Sequence, residues 1–365
     1  MMVHKWEHIG AAIRTDICAG RLRPGDRVAS ERELALAWRV SRMTVHRALV
    51  ELQRAGWVQR QRGHGTVVAS PDARRARRLA IVYHNDGNPL EGGYVRGVRS
   101  AVPEELPLLL CDSRNDPRCE ARTIQRLARE VDGLIIVPTC APENTAALRR
   151  AVDAGIALVC VDRCPDGLDV DAVVTDNYGC TLDALRYVIT RGRGPIAHFT
   201  ADNLHILAAR ERYDAYLQAC REAGQDDPSH LVRRYPLSAI ADRSLIRQLV
   251  ADALAAMLHS CDPPGAAFCM NDFLLGPLLD ACDDLGVATP GDLEIVSFND
   301  AFVLIGRHES GVHRIVQQTR HIGHMAAEVL LERLCAPDQP CRIVRVPARF
   351  YPAGAPQTDR PGTTH

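Results

Sequence analysis

The sequence predicts an α/β protein in two parts: a small N-terminal module of helices with a two-stranded hairpin, and a larger domain built on parallel sheets. Three observations support this prediction. The segment 41–52 combines an apolar stripe at helical spacing with a cationic face. From Leu79 onward, short apolar runs alternate with amphipathic stretches, as strands alternate with helices in an α/β fold. Finally, 365 residues are long for one domain and sufficient for two or three.

The first helix is predicted over residues 5–19, where apolar residues have helical spacing and Gly20 follows as a stop. In the segment 41–52, residues at i, i+3, i+4 and i+7 are apolar: Val45, Ala48, Leu49 and Leu52. Ser41 is the predicted N-cap. The opposite face carries Arg42, Thr44, His46 and Arg47. Cationic and hydroxyl side chains therefore gather at the helix N-terminus, where a recognition helix meets base edges, although a solvated polar face would look the same.

The neighbouring segments favour DNA binding. Upstream, residues 30–35 begin a second short helix with a cap and an acidic first turn, and only two residues separate that helix from Ser41. This is the arrangement of a helix-turn-helix. Downstream, residues 57–60 and 66–69 are predicted strands, and the loop between them has a basic tip and glycines that permit positive φ. Such a hairpin is a wing able to lie along a DNA groove.

In the pattern SERELA, then SRMTVHRAL, then GWVQRQRGHGTVV, roughly residues 4–69 resemble the winged helix-turn-helix domain of the GntR family of transcription regulators. The resemblance implies that double-stranded operator DNA is contacted by the recognition helix, the preceding helix and the wing. The implied residues are Arg32, Ser41, Arg42, Thr44, His46, Arg47, Arg62, His64 and Gly65. One departure from the family is Arg39, where a glycine is common; a left-handed conformation there would cost an arginine about 1 kcal/mol.

The net charge of −1 conceals an asymmetry. Residues 1–78 hold 16 Lys and Arg against 7 Asp and Glu, whereas the remainder holds 28 against 38. A basic module on an acidic body indicates a polyanionic partner for the module alone. Residues 70–78 are rich in arginine and lack apolar periodicity, which predicts a basic linker between the module at 1–69 and the domain at 79–352. The tail at 353–365 is rich in Pro, Gly and Thr, and we expect it to be disordered.

Several function classes lack support in the sequence. No apolar run approaches 18 residues and the N-terminus has no apolar secretion core, so we expect a cytoplasmic protein without a membrane partner. The 13 cysteines have no repeating spacing, which predicts reduced thiols. The pairs Cys160 with Cys164 and His321 with His324 each lack a second pair, so no metal is expected. Dinucleotide, phosphate-loop and nucleophile-elbow motifs are missing, so neither a cofactor nor an enzyme is expected.

The larger domain is predicted to form two lobes with parallel sheets, because the strand-and-helix alternation is too long for one small sheet. Eight runs are predicted strands: 79–83, 106–111, 133–137, 157–161, 173–175, 196–200, 266–270 and 294–298. Ligand sites of such sheets lie at the carboxyl ends of the strands. Polar residues recur there: Asp162, Arg163, Asn271, Asn299 and Gln317. Carboxylate, guanidinium and amide groups suit a ligand dense in hydroxyls, although Asp and Asn also cap strand ends without any ligand.

Residues 79–352 also resemble the ligand domain of LacI/GalR-type repressors, which has the type I periplasmic-binding-protein fold. The segments that carry the resemblance are VDGLIIVP at 131–138, VDR at 161–163, RYDAYLQA at 212–219, ND at 271–272 and VSFND at 296–300. The resemblance implies a sugar site formed by His84, Asn88, Asp162, Arg163, Arg212, Asn271, Asn299 and Gln317. It places residues 79–177 and 306–333 in the first lobe, and 178–303 and 341–351 in the second. Asn299 stands where the family usually has Asp, which changes the hydrogen bonds offered to the ligand.

The combined prediction is a ligand-responsive transcription regulator, expected to be a repressor, similar in arrangement to arabinose-responsive repressors. Its effector is expected to be a sugar or sugar derivative, and its DNA-bound form a homodimer, since one winged helix buries little DNA. Whether the effector releases or promotes DNA binding is left open. The alternatives are a sugar-binding protein without a regulatory role, which the winged module opposes, and an α/β enzyme, which the lack of a nucleophile or cofactor motif opposes.

Overall fold

The structure is a computed structural model, and it describes residues 5–18, 21–54, 56–61, 65–69, 78–84, 89–298 and 311–354. The chain divides into two compact units whose boundary falls between Arg78 and Leu79. Most of the predicted linker and of the predicted disordered tail lies outside the described residues. Within the described ranges, no helix has the length and apolar character needed to cross a membrane.

The N-terminal unit contains three helices and a hairpin. The helices are α1 (Lys5–Cys18), α2 (Glu31–Trp38) and α3 (Arg42–Arg54), and the hairpin pairs β1 (Val58–Gln61) antiparallel with β2 (Gly65–Val68). Apolar faces of all three helices and the hairpin meet in one core, to which the predicted stripe of α3 contributes. The buried residues of that core include Ile9, Ile13, Ile17, Leu34, Val45, Ala48, Leu49, Leu52, Val58 and Val68. The predicted winged helix-turn-helix is thereby confirmed.

Capping residues begin both helices of the helix-turn-helix, and a left-handed residue lies in the turn between them. Ser30 and Glu33 form a reciprocal capping box at the start of α2. Ser41 Oγ accepts a hydrogen bond from the backbone N–H of Thr44 at 3.1 Å, so Ser41 caps α3 as predicted. Between them Arg39 has φ 49° and ψ 52°, the left-handed conformation anticipated for this position. The helix-turn-helix therefore forms with an arginine where glycine would be less strained.

The first lobe of the second unit is a six-stranded parallel sheet. Its strand order is β13-β7-β6-β5-β3-β4. The strands are β3 (Leu79–Tyr83), β4 (Leu108–Asp112), β5 (Gly133–Ile136), β6 (Ala157–Val161), β7 (Asp171–Thr175) and β13 (Ile343–Val346). Its helices are α4 (Pro89–Ala101), α5 (Pro117–Leu127), α6 (Pro142–Asp153) and α12 (Thr319–Cys335). Core strands buried on both faces explain the continuous apolar runs in the sequence.

The second lobe has the sheet order β14-β12-β11-β10-β8-β9, with only β14 antiparallel to its neighbour among the described strands. The strands are β8 (Ile196–Ala201), β9 (Val232–Tyr235), β10 (Ala266–Cys269), β11 (Glu294–Phe298), β12 (Val312–Val316) and β14 (Arg349–Tyr351). The helices are α7 (Asn177–Thr190), α8 (Leu207–Glu222), α9 (Leu237–Ala241), α10 (Arg243–Leu258) and α11 (Asp272–Leu285). The predicted two-lobed architecture with parallel sheets is confirmed.

Two short segments lie in the opposite lobe from the one expected. Residues 306–333 were assigned to the first lobe, but β12 pairs with β11 in the second, with Val312 opposite Ile295. Residues 341–351 were assigned to the second lobe, but β13 pairs with β7 in the first, with Ile343 opposite Ala172. The remaining parts, α12 and β14, lie in the expected lobes. The described chain therefore passes between the lobes three times, after β7, β12 and β13.

Glycines allow α4 and α12 of the first lobe to approach very closely. A Cβ added at Gly97 would lie 2.1 Å from the backbone oxygen of Arg320. A Cβ added at Gly323 would lie 2.1 Å from the backbone oxygen of Tyr94. Contact at this distance is possible only without side chains. The pair positions Tyr94, which reaches the carboxyl ends of the sheet strands.

Candidate DNA-binding surface and ligand cleft

The N-terminal turn of α3 presents two exposed side chains. Arg42 and Met43, its first two residues, are both exposed. Ser41 and Thr44 instead face each other, with 2.8 Å between their hydroxyl oxygens, so both hydroxyls already have a partner. Within the described chain, Arg42 makes no side-chain hydrogen bond or ion pair. Of the predicted DNA contacts on α3, Arg42 is therefore the one whose guanidinium is available to a base edge.

His46 belongs to a network that joins three elements. Its Nδ1 lies 2.8 Å from Glu31 Oε1 on α2, and Arg60 Nη2 on β1 donates to the same oxygen at 3.1 Å. One carboxylate oxygen thus links the recognition helix, the preceding helix and the first strand of the hairpin. This arrangement sets the angle of α3 relative to the wing. It also makes His46 a positioning residue in the DNA-free structure.

Arg47 packs against the first helix. Its guanidinium carbon lies 4.7 Å from the centre of the Trp6 ring, which is a cation–π distance. Arg32 is exposed in the first turn of α2. Gly65 opens β2 with φ 81°, a conformation that favours glycine. The predicted wing-tip contacts, Arg62 and His64, lie outside the described residues.

In the first lobe, Asp162 is the centre of a buried polar group at the end of β6. Tyr94 Oη donates to Asp162 Oδ1 at 3.2 Å, and Arg163 Nε donates to Oδ2 at 3.1 Å. Asp162 has φ 67°, which is unusual for a residue with a side chain. Burial alone would lower the pKa of Arg163, but the Asp162 carboxylate raises it. Arg163 therefore stays charged.

In the second lobe, Arg212 on α8 is buried and held in a fixed orientation. Its Nε donates to Asn177 Oδ1 at 2.9 Å, and its Nη1 donates to the Met270 carbonyl at 2.8 Å. The guanidinium carbon lies 3.5 Å from the centre of the Phe298 ring, so the group stacks on that ring. Arg163 and Arg212 thus lie in opposite lobes. Gln317 lies where the chain leaves the second lobe, and its Oε1 accepts from Thr175 Oγ1 at 2.7 Å.

Three buried polar atoms at strand ends have no hydrogen-bond partner among the described residues: His84 Nε2, Asn203 Oδ1 and Asn271 Oδ1. They follow β3, β8 and β10 respectively. An unpaired buried polar atom costs roughly 1–3 kcal/mol, so these positions call for polar groups from a ligand or water. The other ring nitrogen of His84 lies 3.4 Å from Glu91 Oε1, which holds the imidazole in place.

Sequence reasoning missed Asn203, Tyr94 and Asn177 as parts of this polar group. Asn177 and Asn203 could have been found, because they lie two and three residues beyond predicted strands, as Asn271 lies just beyond another. Tyr94 gave no such signal, since its role depends on a partner far away in the chain. Asn88 and Asn299, predicted ligand contacts, lie outside the described residues.

The lobes meet at the first turns of α8. Arg210 donates to both carboxylate oxygens of Asp166, at 3.2 and 3.1 Å, and Asp166 follows β6 of the first lobe. Glu211 pairs with Arg345 of β13 at 2.7 Å. Cys140 of the first lobe packs in an apolar cluster with Ala209, Met270 and other second-lobe residues. These contacts join the two lobes at residues that flank Arg212 in the sequence.

The cysteines and histidines form no second site in the described part of the chain. The 12 described cysteines are all free thiols. Among the same residues, no three His, Cys, Asp or Glu side chains are arranged to hold a metal ion.

Two parts of the chain match known sequence families. Residues 5–68 match bacterial regulatory proteins of the gntR family, and residues 185–352 match the periplasmic binding protein-like domain. The chain is also similar to the arabinose metabolism transcriptional repressor of Geobacillus stearothermophilus. The two are 25% identical over 339 residues, which cover 90% of this chain and 91% of the repressor.

Solved structures share the fold. The transcription regulator CcpA of Lactococcus lactis matches with a TM-score of 0.66 and 18% identity, over 77% of this chain and 99% of CcpA. The regulator CelR, solved as a complex with cellobiose, matches with a TM-score of 0.65 and 21% identity, over 86% of this chain and 90% of CelR.

Proposed function

We propose that this chain, which joins a GntR-family winged helix-turn-helix to a periplasmic-binding-protein-like domain, is a transcription regulator whose DNA binding responds to a small carbohydrate. The observation that carries the proposal is the coexistence in one chain of an exposed cationic helix end and buried polar atoms without hydrogen-bond partners among the described residues, at strand ends of both lobes. Its likeness to a named arabinose metabolism repressor over nine-tenths of the chain supports repression as its mode of action. The regulator would then work in the cytoplasm, as a homodimer on a two-fold operator.

The DNA-contacting residues divide by role in this proposal. Arg42 reads a guanine through its O6/N7 edge, which a guanidinium can pair with two hydrogen bonds. Arg32 and the wing residues Arg62, His64 and Gly65 meet the phosphate backbone or the minor groove. The four remaining predicted contacts, Ser41, Thr44, His46 and Arg47, hold the helix and its end in place through the contacts described above.

The cleft chemistry supports a polyhydroxylated ligand. Asn203 and Asn271 offer amide groups from the second lobe, while His84 and the Asp162–Arg163 pair lie in the first. Amide, carboxylate and guanidinium groups together satisfy hydroxyls that both donate and accept. Arg212 and Gln317, and beyond the described residues Asn88 and Asn299, complete the proposed site. The regulator CelR, solved with cellobiose, is a related fold with a bound sugar.

A thermal-shift screen of pentoses, hexoses, uronates and sugar alcohols tests the ligand. Asn271→Ala and Asn203→Ala should abolish the shift with little loss of stability, because the buried Oδ1 atom that each removes has no hydrogen-bond partner among the described residues. Asn115→Ala, on an exposed turn of the first lobe, is the matched control and should shift like the wild type. A shift that both cleft variants retain in full would place the ligand elsewhere.

The regulatory role needs a separate measurement. Binding of the full chain to DNA from upstream of its own gene is measured with and without the stabilising sugar. A change of roughly 5–150-fold corresponds to the usual range of allosteric coupling. Sugar binding without any specific DNA binding would instead support a sugar-binding protein with no regulatory role.

A further inference from the structure

Met43 is an exposed apolar residue on the polar face of α3. The other large apolar residues of α3 are buried or half-buried in the core of the N-terminal unit, whereas Met43 is 74% exposed. It lies on the polar face that carries Arg42 and Arg47. Single exposed apolar residues are common on protein surfaces, so exposure alone assigns no role to Met43. The position of Met43 on the helix is the observation that matters.

Its position is the second residue of the recognition helix. Ser41 caps this end through the Thr44 N–H, so the backbone that carries Met43 is fixed. His46 and Arg47 follow at i+3 and i+4, on the same stripe of the helix. His46 is held by Glu31, and Arg47 by Trp6. The side chain of Met43 therefore projects beside Arg42 from a supported helix end, at the place where a recognition helix enters the major groove.

In the major groove, the apolar feature that distinguishes one base pair from the others is the C5-methyl group of thymine. We propose that Met43 reads a thymine methyl group next to the base that Arg42 reads, so that the two residues together specify adjacent positions of each operator half-site. This inference rests on the proposed function, and it adds to that function a specific base, thymine, which the Met43 side chain selects. Methionine suits the role because its unbranched, polarisable side chain adapts to an irregular apolar contact.

The test uses the full chain and its best duplex, selected from a random-sequence library. Each thymine of one half-site is replaced in turn by deoxyuridine, which keeps the base pair and lacks only the methyl group. The wild type should lose about four- to tenfold in affinity at one thymine, the effect of removing about one buried methyl-sized contact. Met43→Ala should lose a similar amount on the normal duplex and show no further loss at that thymine.

Two further variants and two contrary outcomes complete the test. Met43→Leu should keep the sensitivity to deoxyuridine, because it keeps an apolar side chain. Leu36→Ala removes an apolar residue that is 72% exposed on α2 and should leave the deoxyuridine profile of the wild type unchanged. If the chain selects a specific duplex but Met43→Ala keeps the wild-type profile, or loses affinity only by weakening self-association in sedimentation, the assignment of Met43 is overturned while the regulator survives. If no specific duplex is selected, the proposed function itself fails.

Discussion

Single residues decide how the N-terminal unit can read DNA. Arg42 has an exposed guanidinium, whereas His46 and Arg47 are each engaged by a neighbouring element. The DNA-free structure thus separates a side chain that can reach a base from side chains that hold the helix. Sequence spacing placed all three on one face but could not separate them, because Glu31 and Trp6 are far from them in the chain.

Arg42→Ala should lower affinity for the selected duplex by about 10–100-fold, since a paired guanidinium discriminates bases by about 1–3 kcal/mol. Affinity for random DNA should fall much less. Arg14→Ala removes an exposed arginine from α1 of the same unit and is the charge-matched control. Affinities are measured over a salt series, because phosphate contacts steepen the salt dependence. An equal loss on both DNAs would make Arg42 a phosphate contact.

His198 should make the second unit less stable as the pH falls. Burial lowers the pKa of His198 from 6.5 to about 4, because no water surrounds the ring between Phe268 and Tyr216. The folded state therefore keeps it neutral while the unfolded chain binds a proton. Its stabilising contribution is present above pH 6.5 and is lost as the pH falls toward 4. The loss across this window is on the order of 3 kcal/mol.

The measurement is the free energy of unfolding by denaturant from pH 4 to 7, for the wild type and for His198→Phe, which cannot take up a proton. The variant should be less stable at pH 7, because the hydrogen bond to the Phe268 carbonyl is lost, and its pH dependence should be shallower. Burial also lowers the pKa of His313, so the variant retains part of the slope. Parallel pH profiles would show that His198 does not contribute.

At the scale of elements, the contact of α4 with α12 is the least tolerant packing in the first lobe. Gly97→Ala should destabilise this unit by about 3 kcal/mol or more, because the added Cβ would meet backbone 2.1 Å away and the helices must separate. Gly92→Ala is the matched control on the same helix. Its Cβ would meet only the flexible end of Arg96, at 3.2 Å, so this change should stabilise by up to about 1 kcal/mol. Thermal unfolding of both variants shows whether each change stabilises or destabilises the unit. Equal shifts of the unfolding temperature in the two variants would contradict the packing argument.

Element types were predictable where the apolar pattern was unbroken. Strands such as β3 and β6 have the predicted limits, because they are buried on both faces and read as continuous apolar runs. The edge strands β9 and β13 were not predicted, since arginines interrupt their apolar residues and one face is open. Lobe membership of β12 and β13 depends on register with distant strands, which local composition does not encode.

The strand-end positions of the proposed ligand contacts were predictable to the same extent. Asp162, Arg163 and Asn271 follow apolar strands, and the structure places all three at the predicted strand ends. The stacking of Arg212 on Phe298 and the hydrogen bond from Tyr94 to Asp162 could not be predicted from the sequence, because each pair joins elements that only the fold brings together.

At the scale of the whole second unit, the ion pair between Arg210 and Asp166 bridges the two lobes. Asp166→Asn should weaken sugar binding up to about fivefold, since an exposed ion pair contributes at most about 1 kcal/mol. High salt should weaken sugar binding by the wild type to the same extent, because salt screens this ion pair. Asp183→Asn breaks an ion pair with Arg186 inside the second lobe and is the control. Titration with the stabilising sugar at two salt concentrations gives the comparison, and identical behaviour of the two variants would mean that this bridge does not favour closure.

The three passages of the chain between lobes also set the order in which the protein can be completed during synthesis. The N-terminal unit has all of its described elements by residue 69, before any described element of the second unit. The first lobe must wait for α12 and β13, which leave the ribosome only after every described strand of the second lobe except β14. Until then the edge of β7 and the glycine face of α4 have no partner. The nascent chain therefore finishes its proposed DNA reader before its proposed sensor, and the two lobes of that sensor are completed only when β13 and β14 have been made.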